Sequence, residues 1–542
     1  MPARLHPPQW LSRLRALRLR GVLLFLLFIL LTVASLSACT GVSAPPTAAA
    51  PPAAPTPAID GALPAAPATN GALAQLEQLH TTPQEAQIVA GGHVFAPDTL
   101  VAGIDLSRMD VDTARAYLLD LQQRLSRPLD VELDGARTTI YPDEISLQLP
   151  IEAMLSEAIA LNQQGQPVRI PVQIGYDTER LRQKLQNFAN DTMTLPTLHV
   201  LTDTDSIGRS FGYTPGQRIN VEVALYQIER QLAAPLGVRR VTLTRSPDPT
   251  IPAPRATAPQ IQEQLELLAA EWDGVVGLYL HDLASDTTLA TLNERTVFSG
   301  ASLLKVPIMM HAHMTLQRFT PEQYGWLTAM ILDSDNQSAN DLLAASVGST
   351  GTEDALLGVQ LMNEHLQQLG LSHTYQLIPY ESYDYLVNVL GMDIPMGPEY
   401  EGEPPYTFAD PVIRTTPAEM GQLFVLMDRC KRGYGDLMTM FPDTITPTRC
   451  RSMLDLLTKN HDLTRIVAGV PAGVRVEHKS GWVDQMQCDV GIVRSPAGDY
   501  VLALYIYQEE YYADSSIADP FLALLSRLVY TAYNPVLMDT RQ

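Results

Sequence analysis

The C-terminal half of the chain has strand-like patterns at its two ends and helical patterns in its middle. Runs rich in β-branched and aromatic residues predict a first hairpin and a later antiparallel set. These strand-like runs are residues 275–282, 288–292, 474–482, 487–494 and 500–507. A closing helix is predicted over 520–533. Strands at both ends with helices between them predict an α+β domain, with an antiparallel sheet from both ends and a helical subdomain.

The preceding segment contains an internal repeat at a separation of 110 residues. Asp110 and Asn220 each stand as a helix-capping residue before apolar positions at helical spacing. Pro-Leu-x-Val and a strand-like run follow each helix, at Pro128 and Pro235, and a further helix is predicted after Asp177. The pattern predicts a smaller N-terminal α+β domain built from repeated units of a helix on a short sheet.

Two proline-rich stretches divide the chain. The first has no hydrophobic period and predicts a disordered tether, and the second predicts a linker between domains. We therefore expect a signal segment, a tether, a repeat domain, a second linker and a C-terminal domain. These are residues 1–39, 40–75, 76–245, 246–259 and 260–542.

The N-terminus has the pattern of an export signal. The first 20 residues carry five arginines and no acid, and Gly21 to Ala38 is almost entirely apolar. The run ends in Leu36-Ser-Ala-Cys39, which resembles the lipobox of bacterial lipoproteins and implies that Cys39 is acylated. The alternative is an uncleaved membrane anchor, because 18 apolar residues can just span a bilayer. Both interpretations place the rest of the chain outside the cytoplasm, tethered to the outer face of a membrane.

Composition narrows the classes of partner and cofactor. The formal charge of −22 over 542 residues argues against a nucleic-acid partner, which calls for a basic face. Cys430 and Cys450 lie in neighbouring helix-like segments and predict a disulfide, which leaves Cys488 as a free, buried thiol. No Cys/His cluster has the spacing of metal ligands, so we expect neither a metal nor another cofactor.

Two of the chain's five lysines stand beside serines in short motifs. The motifs are Ser302-Leu-Leu-Lys305 and Lys479-Ser480-Gly481, with Ser334-Asp335-Asn336 between them. A helix that begins at Ser302 would place Lys305 on the same face, and the apolar flanks would desolvate the amine. A desolvated lysine can lose its proton and act as a base, which an arginine cannot. Taken alone, the second motif is better explained as a helix cap, and the third would ordinarily be an exposed strand turn.

With the three motifs in this order, residues 260–534 resemble the penicillin-recognising serine enzymes, and most of all the class A β-lactamases. The resemblance implies a β-lactamase/transpeptidase-like fold and catalysis through an acyl-enzyme. It implies Ser302 as the nucleophile, Lys305 as its base or relay, and Ser334 as the proton shuttle to the leaving nitrogen. It implies Asn336 as a contact for the substrate amide, Lys479 and Ser480 as carboxylate binders, and Gly481 as the place where substrate lies against the strand. The backbone N–H groups of Ser302 and Trp482 are the implied oxyanion hole.

The sequence departs from this family in two places. The stretch between Lys305 and Ser334 is shorter than in typical members, so we expect one wall of the cleft to be missing. The Glu-x-x-Leu-Asn motif, whose glutamate activates the deacylating water in the family, is absent from residues 371–410. We interpret the glutamates of that stretch as solvated loop acids. They are Glu381, Glu399, Glu401 and Glu403.

The repeat region resembles the peptidoglycan-binding-like domains that precede catalytic modules in bacterial surface proteins, including those of the vancomycin-resistance W type. Residues 103–107 and 212–216 carry this resemblance. A spacer that positions the catalytic domain without touching glycan remains the alternative.

The leading hypothesis is an exported, lipid-anchored serine hydrolase that acts on β-lactams or on peptidoglycan stem peptides. One alternative is a D-Ala-D-Ala carboxypeptidase or penicillin-binding protein with a persistent acyl-enzyme. Another is a catalytically impaired scaffold that binds the cell wall.

Overall fold

The computed structural model describes residues 92–234, 237–509 and 512–538. All of them belong to one compact unit, Thr81–Gln542. The predicted signal segment with Cys39, the tether, the start of the repeat domain and Pro235 lie outside the described residues. Within the described ranges, no helix combines the length and the apolar character needed to cross a bilayer.

The helices fall into an N-terminal and a C-terminal group. The N-terminal α-helices are α1 Val111–Leu125, α2 Ile151–Gln163, α3 Thr178–Asp191 and α4 Val221–Leu232. The C-terminal α-helices are α5 Ala258–Ala269, α6 Lys305–Thr315, α7 Pro321–Leu332, α8 Asn336–Ser346, α9 Thr352–Gln368, α10 Pro417–Lys431, α11 Asp436–Met440, α12 Pro447–Leu457 and α13 Ser515–Tyr533. Short 3₁₀ turns cover Ala301–Leu304 and Val467–Gly469, and a π turn covers Tyr385–Val389.

The strands are similarly divided. Those of the N-terminal region are β1 Leu100–Val101, β2 Ile104–Asp105, β3 Leu129–Leu133, β4 Ala136–Ile140, β5 Arg169–Ile170, β6 Thr197–Thr202, β7 Arg209–Thr214, β8 Gln217–Ile219, β9 Arg240–Thr242 and β10 Arg245–Pro247. Those that follow are β11 Val275–Asp282, β12 Thr287–Leu292, β13 Phe298–Ser299, β14 Tyr375–Gln376, β15 Ile413–Thr415, β16 Arg475–Val483, β17 Met486–Ser495, β18 Gly498–Tyr507 and β19 Val536–Leu537.

The C-terminal domain is organised around a five-stranded antiparallel sheet in the order β12-β11-β18-β17-β16. Strand β11, from the start of the domain, pairs with β18 from its end, as in Leu278 opposite Leu504. The predicted α+β domain with a sheet from both chain ends is therefore confirmed. Leu502 and Leu504 face one core and Ala503 and Tyr505 face the other, as strand alternation requires in a sheet covered on both faces.

In the N-terminal region, each copy of the repeat has a capped helix followed by a strand. The side chains of Asp110 and Asn220 accept hydrogen bonds from the first turns of α1 and α4. Strand β9 of the second copy pairs in parallel with β3 of the first, and β4 completes this sheet. The two copies thus share one sheet, because neither strand alone could bury its apolar face.

The proline-rich segment 246–259 is docked on the C-terminal domain. The Ala256 amide donates to the Ala532 carbonyl at 2.9 Å. The Arg255 guanidinium lies 3.6 Å from the centre of the Tyr533 ring and pairs with Asp282. The segment therefore fixes the direction in which the chain enters α5.

The hairpin β6–β7 joins the two regions. Phe211 on β7 is fully buried among residues of the C-terminal core, and its amide donates to Thr531 Oγ1 of α13 at 3.0 Å. An Arg527–Asp203 ion pair adds a second link at 2.6 Å. After α13 the chain returns to this hairpin, where β19 pairs in parallel with β7. The hairpin thus completes the cover of α13.

We expect Phe211→Ala to lower the free energy of unfolding by about 3–5 kcal/mol, because it empties a core site that α13 cannot refill. Chemical denaturation followed by tryptophan fluorescence measures this loss. Val200→Ala is the matched control, since Val200 stands opposite Phe211 in the hairpin but is 43% exposed. Equal effects of the two substitutions would show that the hairpin does not stabilise the C-terminal domain.

Candidate active site

Ser302 lies in the 3₁₀ turn that precedes α6. The α-helix begins at Lys305, so Ser302 lies in the 3₁₀ turn Ala301–Leu304 just before the regular helix. Ala301 has a φ of +45°, a conformation outside the α region, and this displaces the start of regular helix. Because a 3₁₀ turn has three residues per turn, Ser302 and Lys305 still align, and Lys305 Nζ donates to Ser302 Oγ at 2.8 Å.

The Lys305 amine connects two of the predicted motifs. The residue is 0% exposed, and Nζ also reaches Asn336 Oδ1 at 2.6 Å and Ser334 Oγ at 3.3 Å. The Tyr380 ring centre lies 4.5 Å from Nζ. Burial, followed by the positive charge of Lys479, lowers the pKa of Lys305 to about 7. A substantial fraction of the amine is therefore neutral at neutral pH and can accept the Ser302 proton.

The Ser334-Asp335-Asn336 motif serves as a helix cap and as part of the site at once. Asp335 is the N-cap of α8, and its carboxylate accepts from the Ser338 amide at 2.7 Å. Ser334 has a φ of +61°, in the left-handed region, which turns the chain immediately before the helix. The cap residue and the residues facing Lys305 are different members of the triplet, so neither interpretation excludes the other.

Lys479 to Trp482 lie on β16, at the edge of the large sheet. A Cβ atom on Gly481 would come within 3.1 Å of the Ser302 amide nitrogen and 3.2 Å of Cys488 Sγ. The absence of a side chain at Gly481 thus allows the strand to approach Ser302 closely. Lys479 is 1% exposed, and burial lowers its pKa to about 8. Trp482 is 59% exposed at the mouth of the site.

A cleft of about 330 Å³ opens between these elements. Predicted site residues on both walls line it: Ser302, Ser334, Lys479, Ser480, Gly481 and Trp482. Lys305 and Asn336 join them through the hydrogen bonds of the amine. The structure therefore brings all three motifs together at a single cleft.

Glu381, which the sequence analysis interpreted as a solvated loop acid, contacts this site. Although exposed, its Oε1 accepts a hydrogen bond from Asn336 Nδ2 at 2.7 Å. Asn340 holds the preceding residue in place: its Nδ2 donates to the Tyr380 carbonyl at 2.9 Å, and its Oδ1 accepts from the Tyr380 amide at 2.8 Å. Tyr380 in turn donates to the Ala301 carbonyl at 2.8 Å. The sequence offered one signal for this loop, Asn340 in the segment after Asn336, but the sequence does not show that its partner is Tyr380.

The other loop acids behave differently. Glu399 is exposed, and Glu403 is exposed and paired with Arg295, as expected of solvated loop acids. Glu401 corrects that interpretation, because its carboxylate is only 14% exposed and pairs with Arg414 at 2.9 Å. This buried pair holds the loop in place. Among the described residues, the hydrogen-bond partners of Glu401 do not line the cleft.

His461 and Asp462, on the opposite rim of the cleft, were also missed by the sequence analysis. His461 Nδ1 and Asp333 Oδ1 lie 2.8 Å apart, so the loop before α8 and the loop after α12 are linked across the rim. Asp462, the next residue, lines the cleft beside Ser480. Neither residue stands in a recognisable motif.

None of the three cysteines in the described residues lines the cleft. Cys430 and Cys450 form a disulfide that links α10 to α12. Cys488 is a free, buried thiol whose pKa burial raises to about 12, so it is neutral. In the described part of the chain, no group of three or more His, Cys, Asp or Glu side chains could hold a metal ion.

Comparison with known proteins adds a family for part of the chain. Residues 324–533 match the model of the β-lactamase enzyme family. The match includes the second and third motifs but begins after Ser302 and Lys305. No curated protein matches the chain.

Similar solved structures include PBP-A, at 20% identity and a TM-score of 0.38, covering 52% of this chain and 98% of that one. A PBP-A variant in an acyl-enzyme complex with penicillin G has 20% identity and a TM-score of 0.37, with 52% and 99% covered. An ancestral class A β-lactamase, GNCA, has 20% identity and a TM-score of 0.37, with 51% and 100% covered.

The C-terminal domain therefore has the β-lactamase/transpeptidase-like fold, with mixed helices and sheet, and carries a β-lactamase family region. The family match supports a β-lactamase-like serine hydrolase.

The rate of serine acylation should depend on the protonation of Lys305. The family resemblance implies that the neutral amine is the base, and burial lowers the pKa of Lys305 to about 7, so we expect the rate to be maximal above about pH 8 and to fall about tenfold per unit below pH 7. Stopped-flow acylation by a chromogenic lactam measures this profile.

Lys305→Arg should reduce acylation by at least about 100-fold, since arginine keeps its proton. Lys459→Arg is the matched control on an exposed lysine and should leave the profile unchanged. A profile that is flat between pH 5 and pH 9 would be inconsistent with Lys305 as the base.

Proposed function

We propose that this protein hydrolyses β-lactam rings or related amides through an acyl-enzyme on Ser302. The observation that carries the proposal is the buried Lys305 amine, which is hydrogen-bonded to Ser302, Ser334 and Asn336 at once. An ordinary structural lysine has no reason to lie unexposed among two hydroxyls and an amide with a pKa near neutrality.

The acylation step follows from this geometry. Neutral Lys305 takes the Ser302 proton as Oγ attacks the carbonyl carbon of the substrate. The oxyanion that forms lies where Gly481 brings β16 against the Ser302 amide, and the N–H groups of Ser302 and Trp482 are its proposed donors. Ser334, within 3.3 Å of Lys305 Nζ, passes a proton to the leaving nitrogen as the amide bond breaks.

We assign deacylation to Glu381. Its carboxylate is fixed by Asn336, which also contacts Lys305, so the acid belongs to the same hydrogen-bond network as the nucleophile. Glu381 has a φ of +56°, a backbone conformation that the Asn340–Tyr380 contacts hold in place. As a carboxylate it can take a proton from a water that attacks the ester, which returns Ser302 to its free form.

The proposal extends to location and partners. The lipobox-like sequence at Cys39 supports a lipid anchor on the outer face of a bacterial membrane. An exported hydrolase there would meet β-lactams and peptidoglycan stem peptides. The repeat region would either bind peptidoglycan or act as a spacer, and its link to α13 through β7 suits a fixed orientation in both cases.

Ser302→Ala should abolish covalent labelling by a fluorescent penicillin, because the attacking oxygen is removed. Labelled protein is followed by gel and intact mass on a protein that lacks residues 1–74. Ser372→Ala, on an exposed serine, should label like the wild type. Labelling that persists in Ser302→Ala would reassign the nucleophile, and a wild type that neither labels nor consumes lactam would favour the scaffold alternative.

Glu381→Gln should slow deacylation by at least about 100-fold while acylation changes less than about threefold, so that the acyl-enzyme accumulates. Intact mass during turnover measures the two steps separately. Glu403→Gln is the control on an exposed acid of the same segment. If the wild type already holds its acyl group for hours, Glu381 is not the base and the protein behaves as a penicillin-binding protein.

A further inference from the structure

Tyr380 contacts the turn that carries Ser302, although no step of the proposed mechanism uses it. The residue is 7% exposed, and its hydroxyl donates to the Ala301 carbonyl at 2.8 Å. Burial raises the pKa of Tyr380, so the hydroxyl keeps its proton and acts as a hydrogen-bond donor. The contact joins the loop after β14 to the residue that precedes the nucleophile.

The Ala301 carbonyl and the Ser302 N–H belong to the same peptide unit. Peptide units are planar and, except before proline, almost always trans, so the N–H of a unit points away from its C=O. A hydrogen bond that holds the Ala301 carbonyl therefore also sets the direction of the Ser302 N–H. That N–H is one of the two proposed donors of the oxyanion hole.

This peptide unit follows a backbone conformation that needs support. Ala301 has a φ of +45°, in the region that residues with a side chain rarely adopt. On its N-terminal side the turn is fixed by the Gly300 amide, which donates to the Ile413 carbonyl at 2.8 Å. Tyr380 adds a contact at the carbonyl of the unit itself, and Gly481 lies against its nitrogen, where a Cβ atom would come within 3.1 Å. The unit is thus contacted at both of its polar ends.

Tyr380 is itself held in place from two sides. Asn340 on α8 binds its amide at 2.8 Å and its carbonyl at 2.9 Å. Its ring centre lies 4.5 Å from Lys305 Nζ, so the ring packs against the buried amine. A donor fixed in this way restrains the Ala301 carbonyl before the reaction begins, and preorganised dipoles of this kind are the ones that stabilise an oxyanion. A hydrogen bond to the carbonyl also polarises the amide and strengthens its N–H as a donor.

We infer that Tyr380 is a positioning residue for acyl transfer, which orients and polarises the Ser302 N–H through its hydrogen bond to the Ala301 carbonyl. The inference rests on the proposed acyl-enzyme function, and it gives a kinetic role to a residue outside the three motifs. Because the oxyanion develops only as the new bond forms, the effect belongs to the rate of acylation and not to the binding of the substrate.

Tyr380→Phe removes the hydroxyl and keeps the ring. The rate constant of acylation by a chromogenic lactam should fall about tenfold, since a loosely held donor loses part of the stabilisation that the complete loss of a donor removes. The dissociation constant of the initial complex should change less than about twofold, because the ground state holds no oxyanion. Stopped-flow measurements over a range of lactam concentrations separate the two quantities.

The pH profile of acylation separates this role from a general loosening of the site. The ring stays against Lys305 in Tyr380→Phe, so the midpoint of the profile should not move. Loosening that let water reach the amine would raise the pKa of Lys305 and shift the midpoint upward, because burial is the main cause of its lowered pKa. The substitution leaves unchanged the charged groups that act on the amine from other elements, which are Lys479, Asp335 and Glu381.

Two further proteins complete the test. Tyr375→Phe is the matched control, because it removes the hydrogen bond of a tyrosine in the same segment to Glu401, and neither residue lines the cleft. Its acylation rate should stay within about twofold of the wild type. Tyr380→4-aminophenylalanine restores a weaker donor at the same place. It should recover acylation to within about threefold of the wild type, yet remain slower than it.

Wild-type acylation by Tyr380→Phe, a raised pH midpoint in that variant, or an equal loss in Tyr375→Phe would each overturn the inference. If Tyr380→Phe does not fold, the aminophenylalanine protein decides. Slower acylation at an unmoved midpoint would then support the role of the hydroxyl, and a rate equal to that of the wild type would contradict it. A wild type that no lactam acylates would instead overturn the proposed function, and the inference with it.

Discussion

The structure depends on the burial of one amine, that of Lys305. Burial lowers its pKa from 10.5 to about 7, so at and below neutral pH the folded state carries a cost of about 4–5 kcal/mol, which fades as pH rises toward the pKa of the unfolded lysine. Three oxygen acceptors recover part of that cost. The remainder must be offset by the cores on the two faces of the sheet, which also hold Ser302 and α8 in position around the amine.

The packing that holds Ser302 in position also involves elements outside the cleft. Gly481 can lie against Ser302 only if β16 stays in register with β17, and β17 and β18 pack against α13. The hairpin of the N-terminal region covers α13 through Phe211, and β19 extends the hairpin's sheet. The region that the sequence divides from the catalytic domain by a run of prolines therefore supports the same packing that positions the nucleophile.

The strands of the large sheet were predictable to within a residue or two, because their β-branched and aromatic runs are bounded by turns. The meeting of the three motifs at one cleft was predictable because their residue types are chemically specific. The start of α6 was not, since the sequence does not show the positive φ of Ala301 that precedes it. The place of Glu381 in the site was not, because its contact with Asn336 joins residues that are distant in the sequence.

The two buried lysines of the cleft need opposite charge states, and the surrounding carboxylates separate them. Asp489 and Asp462 favour the charged form of Lys479, and the positive charge of Lys479 then lowers the pKa of Lys305. The acids beside Lys479 therefore act on Lys305 indirectly, because a charged Lys479 favours the neutral form of the Lys305 amine. The charge at one end of the cleft and the basicity of the amine at the other are thus linked by one electrostatic arrangement.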